Sequence, residues 1–212
     1  QGDAPIHYTL DGSEPTAASP RYTGPVEIGK SARFRATALR EGGENASYSR
    51  EFAFSKSTGR PAVLNTKPND SYTFEGASLL VDGYHSRPVF TSGAWLGYLD
   101  EPLDVTIDMG GEQSYRSVEL ETLAEKGDWI FPPSSVTVWV SDNGTDFTEV
   151  ASVAVPEAKA GDADGIGRYR MQFPETSARY LKVVAQNAAA IPAWHPGAGS
   201  KGFLFVDEVV VE

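Results

Sequence analysis

No stretch of this chain keeps apolar residues at helical spacing for three turns, and that absence leaves an all-β fold as the architecture open to it. What it offers instead are short runs of Val, Ile, Thr, Phe and Tyr, punctuated by 14 prolines and 21 glycines. Extended runs closed by residues that turn the chain predict antiparallel strands. With 40% hydrophobic and 22% charged residues, the 212-residue chain has an ordinary globular balance, which excludes disorder and fibrous repeats. No window approaches the roughly 18 uninterrupted apolar residues of a membrane-spanning helix. The sequence opens on Gln1 without an apolar leader, so it reads as an excised piece or a mature form.

Cysteine is absent, which removes disulfide frameworks, thiolate zinc sites and cysteine nucleophiles together. A formal charge of -11, from 29 acidic and 18 basic residues, repels phosphate backbones and anionic lipid. Nucleic acid and membrane insertion are therefore not expected. Charge also divides the chain: residues 1 to 57 carry seven acids and seven bases, and residues 58 to 212 carry 22 and 11. The expected boundary lies in Ser55-Lys56-Ser57-Thr58-Gly59, giving domains 1–57 and 58–212.

In the first part, strands are expected at Ile6 to Leu10, Val26 to Ile28, Ser31 to Leu39 and Ser47 to Phe54. In the second they are expected at Leu103 to Met109, Ser117 to Leu123, Ser135 to Val140, Phe147 to Val153, Arg168 to Phe173, Arg179 to Ala185 and Phe203 to Val211. Asn143-Gly144 is the sharpest turn signal, since this pair suits a type I′ hairpin joining Val136–Val140 to Phe147–Val153. Seven or eight such strands predict a sandwich.

Ile6-His7-Tyr8-Thr9-Leu10-Asp11-Gly12-Ser13-Glu14-Pro15-Thr16, with Ser19-Pro20-Arg21-Tyr22-Thr23-Gly24-Pro25, resembles the chitobiase/β-hexosaminidase C-terminal domain, which implies a small immunoglobulin-like β domain. The remainder resembles the discoidin-like, coagulation factor 5/8 type C fold, whose bacterial members include family 32 carbohydrate-binding modules. The matching residues are Leu80-Val81-Asp82-Gly83, Trp95-Leu96-Gly97, Val105-Thr106-Ile107-Asp108-Met109-Gly110, Val138-Trp139-Val140-Ser141-Asp142-Asn143-Gly144, Arg179-Tyr180-Leu181-Lys182-Val183 and Phe205-Val206-Asp207-Glu208-Val209. That resemblance implies an antiparallel, jelly-roll β-sandwich. Eleven residues separate Asp82-Gly83 from Trp95, more than is usual in that family. With Gly127-Asp128-Trp129-Ile130-Phe131-Pro132-Pro133 and Trp194-His195-Pro196-Gly197, the whole chain is similar to the C-terminal tail of bacterial family 20 β-N-acetylhexosaminidases. The resemblance implies an exported or cell-surface glycoside hydrolase as parent, with its catalytic domain as a partner of this region.

Nothing in the chain spells an active site. Asp100-Glu101 and Asp207-Glu208 echo the adjacent acid pair of family 20 enzymes but lack its His-x-Gly-Gly context, and a (β/α)8 barrel needs about 250 residues and eight helices. No Gly-x-Ser-x-Gly elbow occurs. Gly161-Asp162-Ala163-Asp164-Gly165-Ile166-Gly167 imitates part of a calcium or dinucleotide loop without its spacing or a following helix, and reads as a flexible hairpin loop. His7, His85 and His195 are scattered too widely for a zinc motif.

Sugars present an apolar C–H face and a rim of hydroxyls, so their sites pair an aromatic plate with polar groups. The loop aromatics to weigh are Tyr84 with His85, Phe90, Trp95, Trp129 with Phe131, and Trp194 with His195. Trp194, between two prolines, is the leading stacking candidate with His195 as rim hydrogen bonder; the same ring can equally plug the end of the sandwich. Trp129, with Asp128 available to hydroxyls, carries the same two readings. Trp95 reads as core. Trp139 alternates against Val136, Val138 and Val140, and is expected on the outer face, covered by a neighbouring domain. By position in the resembling fold, Asp82 and Glu208 are the expected ligands of one structural Ca2+. The resemblance thus implies binding to glycans ending in galactose or N-acetylhexosamine, against the alternative of a scaffold packed on a catalytic domain.

Overall fold

The computed structural model describes residues 4–40 and 45–212, and the chain folds as two compact units, Gln1–Phe54 with Gly83–His85, and Ser55–Asp82 with Ser86–Glu212. The fold is all-β. Helical turns among the described residues are 3-10 turns of three to six residues, as the missing helical period requires.

The first unit is a three-stranded antiparallel sheet of β1 (Ile6–Thr9), β2 (Ala32–Ala38) and β3 (Ala46–Phe52), in that order. Its register places Tyr8 opposite Ala36 and Ala36 opposite Tyr48. Tyr8, Phe34 and Tyr48 therefore share a face, with ring centroids 5.8 and 6.3 Å apart along the row. Asp11-Gly12 turns the chain as expected: Gly12 takes φ 82°, and Asp11 Oδ1 accepts from Ser13 N–H at 3.0 Å. Residues 26–28 form no strand. Pro25 has no N–H to give a ladder, and the run is too short to override it.

The second unit contains β4 (Ala62–Leu64), β5 (Leu96–Tyr98), β6 (Leu103–Ala124), β7 (Ser135–Ser141), β8 (Thr148–Ala154), β9 (Gly165–Gln186) and β10 (Leu204–Val211). They pair in the order β5-β10-β6-β9-β7-β8, with β4 on β6. Four expected strands merge into two: β6 and β9 are each 22 residues long and pair with each other on both sides of register shifts at Asp108/Gln113 and Tyr115/Ser117. Such shifts bend a ribbon. One half carries β4 and β7, the other β10, and both contribute to one buried cluster that includes Val105, Val138 and Leu181 from the first and Val118, Leu120 and Val206 from the second. Burial alternates along β7, with Val136, Val138 and Val140 inside and Thr137 and Trp139 outside.

One local expectation changes. The Asn143-Gly144 turn is not type I′, which needs two positive φ values; only Gly144, at φ 76°, has one. Instead Asn143 Oδ1 accepts from Thr145 N–H and Asp146 N–H, both at 2.9 Å, and organises a longer loop. Within β10, Asp207 and Glu208 sit, buried, at the register shift against β6.

The bend has a positional consequence. Ser55–Arg60 bonds toward the middle of the ribbon and the chain end, as in Lys56 Nζ to Ser114 O at 2.6 Å and Lys56 N–H to Val211 O at 3.0 Å. The two ends of the ribbon are joined elsewhere by loop contacts: Asn187 Nδ2 donates to Tyr98 O at 3.1 Å, Lys201 pairs with Asp100 at 2.6 Å, and Phe131 N–H donates to Phe203 O at 2.9 Å. Loops 99–102, 125–134, 155–164 and 187–203 thus gather into one cluster.

Candidate functional site

Within that cluster, Lys126–Asp128 makes a single 3-10 turn that Trp129 closes in the left-handed region, at φ 64°, ψ 24°. Among the described non-glycine residues only Phe74 shares a positive φ. Crowding of Cβ against the backbone makes that conformation costly, on the order of 1 kcal/mol or more. The main chain holds it there: Trp129 N–H donates to Lys126 O at 3.0 Å, Phe203 N–H donates to Trp129 O at 2.8 Å, and Glu125 and Ile130 exchange bonds on either side. The result is an indole that stays 43% exposed while its six-membered ring lies against Gly197, where an added Cβ would stand 2.8 Å from Cζ2.

His195 organises the surroundings. Gly197 N–H donates to its Nδ1 at 3.0 Å, which leaves the proton on Nε2 to be donated to Lys126 O at 2.9 Å. The ring is buried, and it meets Trp129, Phe131 and Trp194 edge to face at 6.1, 5.5 and 5.6 Å. It supports two indoles and does not reach out as a rim hydrogen bonder. Trp194 is 39% exposed, and its Nε1–H donates to Ala158 O at 3.0 Å. One ring edge is tied to the loop after β8; the rest of the indole is open.

Of the residues singled out in the sequence, Asp128, Trp129, Trp194 and His195 come together. Tyr84 and His85 belong to the first unit, where Tyr84 lies beneath the Arg50 guanidinium at 3.5 Å and beside Phe52. Trp95 is fully buried with Leu123, Ile130 and Phe205, and Phe90 packs on Tyr72 and Phe205. Trp139 lies on the outer face, with the Lys182 ammonium 5.5 Å from its centroid. Lys126 went unmarked in the sequence. Its side chain is buried, its ammonium pairs with the Asp164 carboxylate and donates to Asp162 O at 2.8 Å, and its own N–H donates to Asp164 Oδ1 at 3.1 Å. The expected flexible loop is thus bonded to the turn that presents Trp129.

The rim is acidic. Burial, then the charge and hydrogen bond of Asp128, then Asp164, raise the Glu125 carboxyl above its ordinary range. The Lys126 hydrogen bond holds Asp164 below it. A second feature adjoins the aromatics: a cavity of about 340 Å³ lined by Phe131, Pro133, Val155, Pro156, Ala190 and Pro192 among others. Its walls are apolar and stiffened by proline.

The calcium expectation falls elsewhere. Glu208 is fully buried and Asp82 caps a 3-10 turn, while Asp207 accepts from Ser86 N–H at 2.7 Å. Burial pushes the Asp207 carboxyl up to about 8, helped by the charges of Glu121 and Asp82, so negative charge is crowded there. No three His, Asp or Glu side chains among the described residues converge as a metal-holding group. A structural Ca2+ held by Asp82 and Glu208 would draw the rest of its shell of roughly six to eight oxygens from main-chain carbonyls.

Comparison with known proteins gives two family matches: the F5/8 type C domain over residues 65–201, and the Fn3 associated family over residues 1–52. No curated protein matches the chain. Among solved structures, chitosan-binding module 1 of a chitosanase/glucanase from Paenibacillus sp. IK-5 is 17% identical, covering 74% of this chain and 98% of that one, with a TM-score of 0.48. CpGH89CBM32-5 from Clostridium perfringens, solved with GalNAc-β-1,3-galactose, is 16% identical over 71% of this chain and 93% of that one, with a TM-score of 0.47. A Streptococcus pneumoniae fucose binding module is 22% identical over 74% and 94%, with a TM-score of 0.46.

Proposed function

Because the chain belongs to the F5/8 type C domain family, with that domain matched over residues 65–201, we propose that its sandwich binds the terminal sugars of glycans through the loop cluster that carries Trp129 and Trp194. The observation that carries this reading is Trp129 itself: a large aromatic held at positive φ by main-chain bonds, with its indole 43% exposed. Backbone strain of that kind persists where the surroundings over-determine it, and an aromatic plate fixed in advance loses little entropy when a sugar ring stacks on it. Trp194 supplies a second plate, and Asp128 with Glu125 supplies acceptors for hydroxyl or amine hydrogens. Galactose and N-acetylhexosamine ends, whose C–H faces suit stacking, are the ligands proposed.

The region acts as a non-catalytic accessory of a larger glycoside hydrolase, which the resemblance to family 20 β-N-acetylhexosaminidases names as an exported enzyme. Its contribution is proximity: weak binding by the sandwich raises the effective concentration of glycan at a tethered catalytic domain. The scaffold alternative rests on Trp139 as a surface for another domain to cover and on the thin, three-stranded first unit; Lys182 lies over part of the Trp139 ring. A glycan array probed with the 212-residue chain and with Trp129→Ala and Trp194→Ala tests the proposal. Selective retention lost in Trp129→Ala is expected; no retention of any glycan removes it in favour of the scaffold.

A further inference from the structure

We infer that Lys126 is the positioning residue of this site, and that its buried ammonium locks the loop between β8 and β9 to the aromatic plate; the inference rests on the glycan-binding reading. Every polar part of Lys126 is committed. Its carbonyl accepts from Trp129 N–H at 3.0 Å and from His195 Nε2–H at 2.9 Å, so one oxygen fixes both the left-handed turn and the ring that supports the indoles. Its N–H and ammonium both bond Asp164 Oδ1, and the ammonium also donates to Asp162 O at 2.8 Å. The acidic loop that imitates a calcium site therefore has its cation supplied from within the chain.

The chemistry explains why a lysine stands there. A buried ammonium is stable only with several oxygen partners, and the strained Trp129 turn is stable only if its carbonyl cannot drift. Lys126 satisfies both requirements at once: releasing Asp164 frees the side chain, and the freed side chain no longer fixes its own carbonyl. Loop and plate then loosen together, and sugar affinity falls although no residue that touches sugar has changed. Asp164 is half-exposed, so the loop side of the pair can be cut without opening the core.

The test uses Asp164→Ala, Asp164→Asn and, as a control of matched type, Arg170→Ala, which breaks the Arg170–Glu212 pair at a distance from the site. Hydrogen–deuterium exchange is followed at residues 126–131 and 195–199, and affinity is measured for the galactose or N-acetylgalactosamine glycans retained by the wild type. Asp164→Ala is expected to raise exchange in both segments and weaken binding about tenfold, which corresponds to about 1.4 kcal/mol. Asp164→Asn, which keeps an acceptor for the ammonium, restores part of each; Arg170→Ala leaves exchange in both segments at the wild-type rate. Wild-type exchange in Asp164→Ala overturns the lock whether or not sugars bind. Should the wild type retain no glycan, the function fails while exchange still decides the lock.

Discussion

Gly197→Ala moves the Trp129 plate without deleting it. An added Cβ stands 2.8 Å from Trp129 Cζ2, 3.0 Å from Cη2 and 3.1 Å from Cε2. Ordinary carbon contacts begin near 3.5 Å, so the ring must retreat by roughly 0.7 Å. Gly197 is not at positive φ, so alanine brings no backbone strain of its own. Overpacking costs about 1–3 kcal/mol, and an indole 43% exposed can swing outward, which places this change near the lower end. For a chain of this size about 1 kcal/mol lowers Tm by roughly 2–4 °C. Displacing a stacking surface by that distance is expected to weaken glycan binding about tenfold, or about 1.4 kcal/mol. Differential scanning calorimetry and titration with a retained glycan read the two effects. Gly111→Ala, whose Cβ meets nothing within 4 Å, is the control. If Gly197→Ala matches that control in both measurements, the seat of the indole on Gly197 is wrong.

Other sites give sharper or differently directed effects. Gly97→Ala places a Cβ 2.9 Å from both Phe205 Cζ and Tyr72 Cβ inside the smaller aromatic cluster, so a loss of about 3 kcal/mol is expected in urea unfolding, and a loss under 1 would contradict the packing. Arg179 donates from Nε and Nη2 to the two Asp108 oxygens at 2.9 Å each and pushes that carboxyl down to about 2. A depressed carboxylate stabilises the fold above its unfolded value of about 4 and loses that contribution as pH falls toward 2, so Arg179→Met lies below wild type in Tm at pH 6 and converges with it near pH 2. A gap that persists at pH 2 refutes the assignment. For calcium at Asp82 and Glu208, CaCl2 raises Tm and Asp82→Asn abolishes the rise; an identical wild-type Tm in CaCl2 and in chelator dismisses the ion. The acidic rim predicts weaker retention of sulfated or sialylated ends than of the same glycans without them, and the reverse order contradicts it.

The sandwich was legible because its signal is local. Val136, Val138 and Val140 alternate with Thr137 and Trp139, and the pleat turns that alternation directly into an inner and an outer face. Length was not legible: β6 and β9 run through their bulges, and Met109-Gly110-Gly111-Glu112 reads as a break because bulged pairing depends on the partner strand. Asn143-Gly144 marked a turn correctly but not its type, since the Asn143 side chain, bonding Thr145 and Asp146, chose a longer loop.

The site was half legible for the same reason. Trp129, Trp194 and His195 drew attention as loop aromatics beside glycine and proline. His195 as a support, not a rim group, follows from Lys126 O and Gly197 N–H, main-chain partners that leave no mark in a sequence. Lys126 in Glu125-Lys126-Gly127 looks like any surface lysine, and its burial depends on Asp162 and Asp164, more than thirty residues away in the chain. Tyr84 and His85 were grouped with the loop aromatics by residue type alone, and their contacts place them in the first unit.

The most direct test is the NMR spectrum of the four indole N–H groups, Trp95, Trp129, Trp139 and Trp194, during titration with methyl β-galactoside and with N-acetylgalactosamine. Glycan binding at the loop cluster gives a saturable shift of the Trp129 signal, a smaller one at Trp194, and none at the buried Trp95. Signals that stay fixed with both sugars, or a shift confined to Trp139, would contradict it.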